Sequence, residues 1–186
     1  MVLVLVGTDH HPFERLVDWA DALASLHPEL RVVVQHGATR PPRTAEGHAN
    51  IGYRELNALL SESSVVVCHG GPGVITEARE AGHVPLCVPR DPAHGEHVDG
   101  HQLRFAAVVG AAGVVRDIRS FDHLTEEVER SLARPGRPVG SVTHGDAREV
   151  ARSRVAAELD EVIARGREPR RRRVRRASAR AQVEAG

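Results

Sequence analysis

The stretch from Cys68 to Ala106, CHGGPGVITEAREAGHVPLCVPRDPAHGEHVDGHQLRFA, decides the fold. The apolar run Ser64 to Cys68 reads as a strand and passes at once into His69-Gly70-Gly71-Pro72-Gly73. The spacing predicts a helix from Gly73 to Ala81. Glycines permit a sharp turn and a close approach of ligand to main chain, and proline is tolerated in a first helical turn. Amides left unpaired at a helix N-terminus, with the positive end of the dipole, make an anion site. Glu77 falls about one turn further on, placed to accept bonds from ribose hydroxyls beside a bound diphosphate. A short strand, Pro85 to Val88, leads to a polar loop ending in Asp99-Gly100-His101-Gln102, whose side chains approach the same ligand from the other side. The pattern points to a nucleotide-sugar site.

Outward from this stretch, strands and helices alternate. Val2 to Val6 is a continuous apolar run, as expected of a strand buried on both faces of a parallel sheet. Gly7-Thr8-Asp9-His10-His11 is its loop, and Pro12 opens a helix with Phe13, Leu16, Val17, Ala20, Leu23 and Ala24 on one stripe. Arg31 to Gln35 reads as the second strand, Gly37 to Gly47 as a polar loop, and Asn50 to Gly52 as a short third strand. Helices are expected at Arg54 to Glu62, Asp99 to Ala112 and Asp122 to Ala133, with a sixth strand at Gly113 to Val115. A Pro/Gly connector, Arg134 to Gly145, precedes a last amphipathic helix, Asp146 to Arg165. The alternation predicts a doubly wound, Rossmann-like parallel α/β fold in a single domain. Ligands of such sheets bind at the carboxyl ends of the strands, where both the Gly7-Thr8 loop and the His69–Gly73 loop fall.

Composition narrows the function. All 25 basic residues are arginine, which excludes a P-loop lysine and a Schiff-base lysine. Aromatic residues make up 3% of the 186, so the core must rest on Val, Leu, Ile and Ala. The net charge of zero hides an asymmetry: residues 1–165 carry 17 arginines against 23 acids, a net of −6, while residues 166–186 carry 8 against 2, a net of +6. The expected organisation is therefore a nucleotide-binding domain, 1–165, and an Arg-rich tail, 166–186. The tail reads as a solvated appendage or as a contact with an anionic membrane surface. Nucleic acid is not an expected partner, because the acidic body would repel a phosphate backbone. Cys68 and Cys87 sit in apolar runs without CxxC spacing and read as reduced, buried thiols. No signal-peptide pattern and no membrane-spanning run is present, so the expected location is cytoplasmic, with any membrane contact peripheral.

The combination HGGPG (69–73), VPR (88–90) and GEHVDGHQ (95–102), with VLVLVGTDHHPFERLVDWADAL at 2–23, resembles the donor-binding half of GT-B glycosyltransferases of the family-28 C-terminal type. Small catalytic subunits of bacterial exopolysaccharide glycosyltransferases are the nearest resemblance, and it covers roughly residues 1–135. The resemblance implies a UDP-sugar donor held by Gly7, Thr8, His69, Gly70, Gly71, Gly73 and Glu77, with the uracil read by the main chain at Tyr53. It implies sugar contacts from Gln102 and from His101, which stands where the peptidoglycan enzyme of the family has a first glutamine. It also implies an acceptor half on a membrane-associated partner presenting a lipid-linked acceptor, and a general base in that partner, so no catalytic residue is assigned. A non-catalytic nucleotide-sugar-binding subunit and a small metal-dependent hydrolase are the alternatives. His94, His97 and His101 invite a metal, but their loop is interrupted by glycine and carries no HExxH pattern. The resembled family binds its donor without one, and no metal or cofactor is expected. His10 and His11 border the diphosphate loop as neutral donors or as solvated side chains.

Overall fold

The computed structural model describes residues 1–133. The expected helix Asp146 to Arg165 and the Arg-rich tail lie outside them. Six parallel strands, β1 (Val2–Leu5), β2 (Val32–Gln35), β3 (Glu46–His48), β4 (Val65–Cys68), β5 (Leu86–Cys87) and β6 (Arg116–Asp117), pair in the order β3-β2-β1-β4-β5-β6. Five helices connect them: α1 (Glu14–Leu26), α2 (Tyr53–Glu62), α3 (Pro72–Glu80), α4 (His101–Ala111) and α5 (Phe121–Leu132). The doubly wound prediction holds. The chain leaves β1 toward β2 on one side and returns to β4 on the other, so a crevice opens between the β1 and β4 loops.

Alternation along the strands sorts the core into two layers. Val2, Val4, Val6, Val32, Val34, Val65 and Val67 face α1 and α5, packing on Phe13, Leu16, Val17, Leu23, Leu124 and Val128. Leu3, Leu5, Val33, Val66, Cys68 and Cys87 face α2, α3 and α4, packing on Leu60, Ile75, Ala78, Ala106 and Val109. With both faces covered, β1 and β4 are buried at every position, which is why their sequences read as unbroken apolar runs. Burial of each such side chain contributes about 1.5–3 kcal/mol. Both thiols are free and fully buried.

Two strands lie elsewhere than the pattern suggests. The third is Glu46–His48, overlapping the end of the expected polar loop, and not Asn50 to Gly52. It is an edge strand with Glu46 and Gly47 exposed, so it needs no apolar alternation. Main-chain bonds hold it, His36 donating to the His48 carbonyl and Gly37 to that of Ala49. Asp21 supports its approach from α1: its carboxylate accepts from the amides of Arg43, Thr44 and Ala45. The sixth strand is Arg116–Asp117, just beyond the expected Gly113 to Val115. Gly113, at φ 73°, ends α4 in the left-handed region. Val114 and Val115 then carry the chain back to the edge, where Arg116 donates to the Pro85 carbonyl.

Candidate functional site

The loops after β1, β4 and β5 meet at the carboxyl ends of the sheet around the His69 ring. A Cβ placed on Gly7 would lie 2.7 Å from His69 Nε2, and one on Gly71 would lie 2.1 Å from Cε1. Both glycines therefore make room for the imidazole, and Gly7 also holds φ at 91°. The Gly7 amide donates to Gln35 Oε1 at 3.0 Å, and Gln35 Nε2 donates back to the Gly7 carbonyl. That amide is thus already engaged by β2. Burial, then the Arg90 charge, lowers the His69 pKa to about 4, with Gln102 and Asp9 acting the other way. The ring is neutral at pH 7.

Gln102 locks the second part of this floor. Its Oε1 accepts from the amides of Gly70 (3.1 Å) and Arg90 (3.2 Å), and a Cβ on Gly70 would come within 3.0 Å of its Cβ. A carbonyl oxygen has two lone pairs, so any further bond from Gln102 comes from Nε2.

Arg90 received no role from the sequence beyond its place in VPR, yet among the described residues it is the largest fully buried side chain. Nη1 donates to the carbonyls of His11 (2.6 Å) and Glu96 (3.1 Å), and Nη2 to that of Val6 (3.1 Å). Its guanidinium lies 4.8 Å from the Phe13 ring centroid. Burial lowers its pKa, opposed by Asp9 and Glu96. Glu96, also buried, takes a bidentate pair from Arg15 at 2.8 Å and a bond from the Asp91 amide. Arg15, Arg90 and Glu96 thus bind the β1–α1 loop to the β5–α4 loop. A basic residue just past an apolar strand run, after Pro89, was the available signal for Arg90; nothing local marked its partners 6 to 84 residues away.

Above this floor the site is open. No side chain caps α3, and among the described residues the Gly73 and Val74 amides have no acceptor. A Cβ on Gly73 would meet nothing within 4 Å. Thr8, in the loop after β1, is exposed. The Glu77 carboxylate has no hydrogen-bonded or ion-paired partner among the described residues, and burial, followed by the Glu80 charge, raises its pKa. Tyr53 begins α2 with its side chain 76% exposed, its carbonyl accepting from Asn57 Nδ2.

A model of the glycosyltransferase family 28 C-terminal domain matches residues 1–159. The chain belongs to this family. No curated protein matches it. Among solved structures, the chain is similar to the glycotransferase of kitacinnamycin, at 22% identity and TM-score 0.49, with 89% of this chain and 43% of that one covered. It is also similar to CalG4, the calicheamicin glycosyltransferase, at 20% identity and TM-score 0.46, with 90% and 43% covered. The chain therefore spans less than half the length of either protein.

In this family-28 domain the expected site residues fall into two groups. Gly7, His69, Gly70, Gly71 and Gln102 are joined in the packed floor. Thr8, Gly73, Glu77, Tyr53 and His101 have exposed or unpartnered groups. His101 opens α4 with Nδ1 2.5 Å from Asp99 Oδ1. Among the described residues no helix is long and apolar enough to cross a membrane.

Proposed function

We propose that this domain binds the UDP moiety of a UDP-sugar at the carboxyl ends of β1 and β4 and forms the donor half of an inverting glycosyltransferase. The open, uncapped start of α3 beside Gly73, at the point where the sheet order reverses, carries this reading. The diphosphate lies against the Gly73 and Val74 amides and the Thr8 amide, and Glu77 accepts from the ribose hydroxyls. Gln102 Nε2 and His101 face the sugar. The acceptor hydroxyl attacks the anomeric carbon as the bond to the diphosphate oxygen breaks, and UDP leaves with the bonding pair. Fixed amides at the helix start stabilise the charge that develops there. A helix end contributes only about 0.3–1 kcal/mol to an exposed charge and up to about 2 when partly buried. It therefore orients the diphosphate, and the side chains supply the rest. The acceptor half and the general base come from a membrane-associated partner that presents a lipid-linked acceptor, in exopolysaccharide or glycolipid synthesis.

Calorimetry with UDP, in chelator and without added metal, tests the site. Glu77→Ala should weaken binding roughly ten- to hundredfold, as expected for loss of a charged hydrogen bond worth about 1.5–3 kcal/mol. Unchanged affinity in a folded variant would remove Glu77 from the site. Sugar transfer should require mixing with the acceptor-half partner. Robust transfer to a lipid acceptor by this chain alone would overturn the two-polypeptide arrangement.

A further inference from the structure

The loop after β1 and the loop before α4 bring together imidazoles that are far apart in sequence. One ligand atom each from Asp9, His11 and His97 lies within 4.8 Å of the others, and His97 is shared with a second trio, His97, Asp99 and His101. The His11 and His97 ring centroids are 5.3 Å apart, those of His97 and His101 4.6 Å, and His10 stacks on His11 at 3.9 Å. We propose that Asp9, His11 and His97 form a binding site for a divalent cation of the zinc class, which ties the β1–α1 loop to the β5–α4 loop.

Donor chemistry selects the class of ion. Two imidazoles and one carboxylate are a common ligand set for zinc, whereas magnesium takes oxygen and water ligands in an octahedron. Zinc–ligand bonds of about 2.0–2.2 Å place tetrahedral donors roughly 3.4 Å apart, so the His11–Asp9 pair must open and His97 must close on Asp9 by roughly half an ångström. Loop side chains achieve that by rotation about χ1 and χ2. His97 Nε2 is already 3.9 Å from Asp9 Oδ2, and His11 Nδ1 lies 2.6 Å from Asp9 Oδ1.

Exposure separates the two trios. Side chains of Asp9, His11 and His97 are 34, 22 and 14% exposed, against 58 and 51% for Asp99 and His101. The less exposed set loses less side-chain entropy on binding and competes with less water. The Arg90 guanidinium donates to the His11 carbonyl at 2.6 Å, and its positive charge so near the trio opposes any cation. The site therefore favours ions that gain from nitrogen ligands over those held by charge alone. Neither donor binding nor transfer is assumed in this assignment, so it stands or falls separately from the nucleotide site.

The test uses tag-free, full-length protein stripped with chelator, titrated with zinc by calorimetry and with cobalt by visible absorption. Wild type should bind about one zinc, show cobalt ligand-field bands and gain thermal stability with zinc but not with magnesium. His97→Ala should weaken zinc binding at least tenfold and remove the cobalt bands. His11→Ala should do the same, while His94→Ala, an exposed position outside both trios, should bind as wild type. Circular dichroism confirms that each variant is folded, and Asp9→Asn serves as a conservative second probe. Absence of zinc binding, equal response to magnesium, or binding that survives both His11→Ala and His97→Ala would overturn the proposal. So would a site lost in His101→Ala but retained in His11→Ala, which belongs to the exposed trio.

Discussion

The closed floor and the open lip of the site differ in what occupies the space beside each glycine. At Gly71 the space is filled by the His69 ring, whereas at Gly73, two residues on, a methyl group would touch nothing. At Gly70 it is filled by Gln102. One five-residue motif therefore contains glycines required by the protein's own packing and a glycine whose adjacent space is free for a ligand. Motif membership does not separate the two roles; the neighbour across the crevice does. The same division holds for the polar groups, with Gly7 N and Gln102 Oε1 engaged internally and Glu77 unpartnered among the described residues.

Arg90 offers the largest test of the floor. Arg90→Ala leaves the carbonyls of Val6, His11 and Glu96 without their donor and Asp9 and Glu96 without a compensating charge. Truncating one partner of a buried ionic network costs about 3–5 kcal/mol, and chemical denaturation should register a loss of that order. A loss below about 1 kcal/mol would show that water reaches the floor and that it is not closed.

Acid should reveal His69 next. The folded ring has a pKa of about 4, below the ordinary imidazole value of 6.5. The unfolded chain therefore takes up the proton first, and stability is full above pH 6.5 and declines as pH falls toward 4. The loss amounts to at most about 3.4 kcal/mol at 1.36 kcal/mol per pKa unit. His69→Asn should be less stable at neutral pH and show a flatter dependence between pH 6.5 and 4; an equally steep dependence would place the titrating group elsewhere. Asp21, whose amide partners outweigh its burial to keep the pKa low, contributes in a separate window. Its stabilisation is present above the unfolded value near 3.8 and is lost as pH falls through the lower folded value.

The paired glycine substitutions give the sharpest contrast at smaller cost. Gly71→Ala drives a methyl into a ring already held by Gly7, and overpacking of this kind costs about 1–3 kcal/mol. Gly73→Ala should leave stability unchanged or raise it by about 0.4–1 kcal/mol, because alanine restricts the unfolded chain and meets no clash. It should nevertheless weaken UDP binding, since its methyl points into the space assigned to the diphosphate. Similar thermal shifts for the two variants would erase the distinction between floor and lip. Unchanged UDP affinity in Gly73→Ala would move the diphosphate away from α3.

The smallest effect belongs far from the site. Arg31 and Glu46 pair at 2.9 Å across the β2–β3 edge, with both side chains about half exposed. Exposed pairs are worth about 0–1 kcal/mol, so Arg31→Gln should change stability by less than that and leave UDP binding alone.

Local signals were strongest where burial is symmetric. β1 and β4 are covered on both faces, so their apolar runs were plain in the sequence, and HGGPG marked the strand–helix turn without help from elsewhere. β3 was misplaced because an edge strand held by main-chain bonds to β2 leaves no apolar signature. The Gly113 stop at the end of α4 was legible, but the residues that pair beyond it were not, since the ladder partner is Leu86.

The sequence by itself determined the order of strands and helices, the turn chemistry at His69–Gly73 and the carboxyl-end location of the candidate site. Those features follow from periodicity and backbone preference within short windows. Only the tertiary structure decided that Gly71 makes room for His69, that Gln102 Oε1 is engaged by Gly70 and Arg90, that Arg90 is buried, and that Asp9 and His11 stand beside His97. Each joins loops widely separated in sequence. Such contacts arise when the sheet sets β1 beside β4 and β4 beside β5, a pairing that no local window encodes.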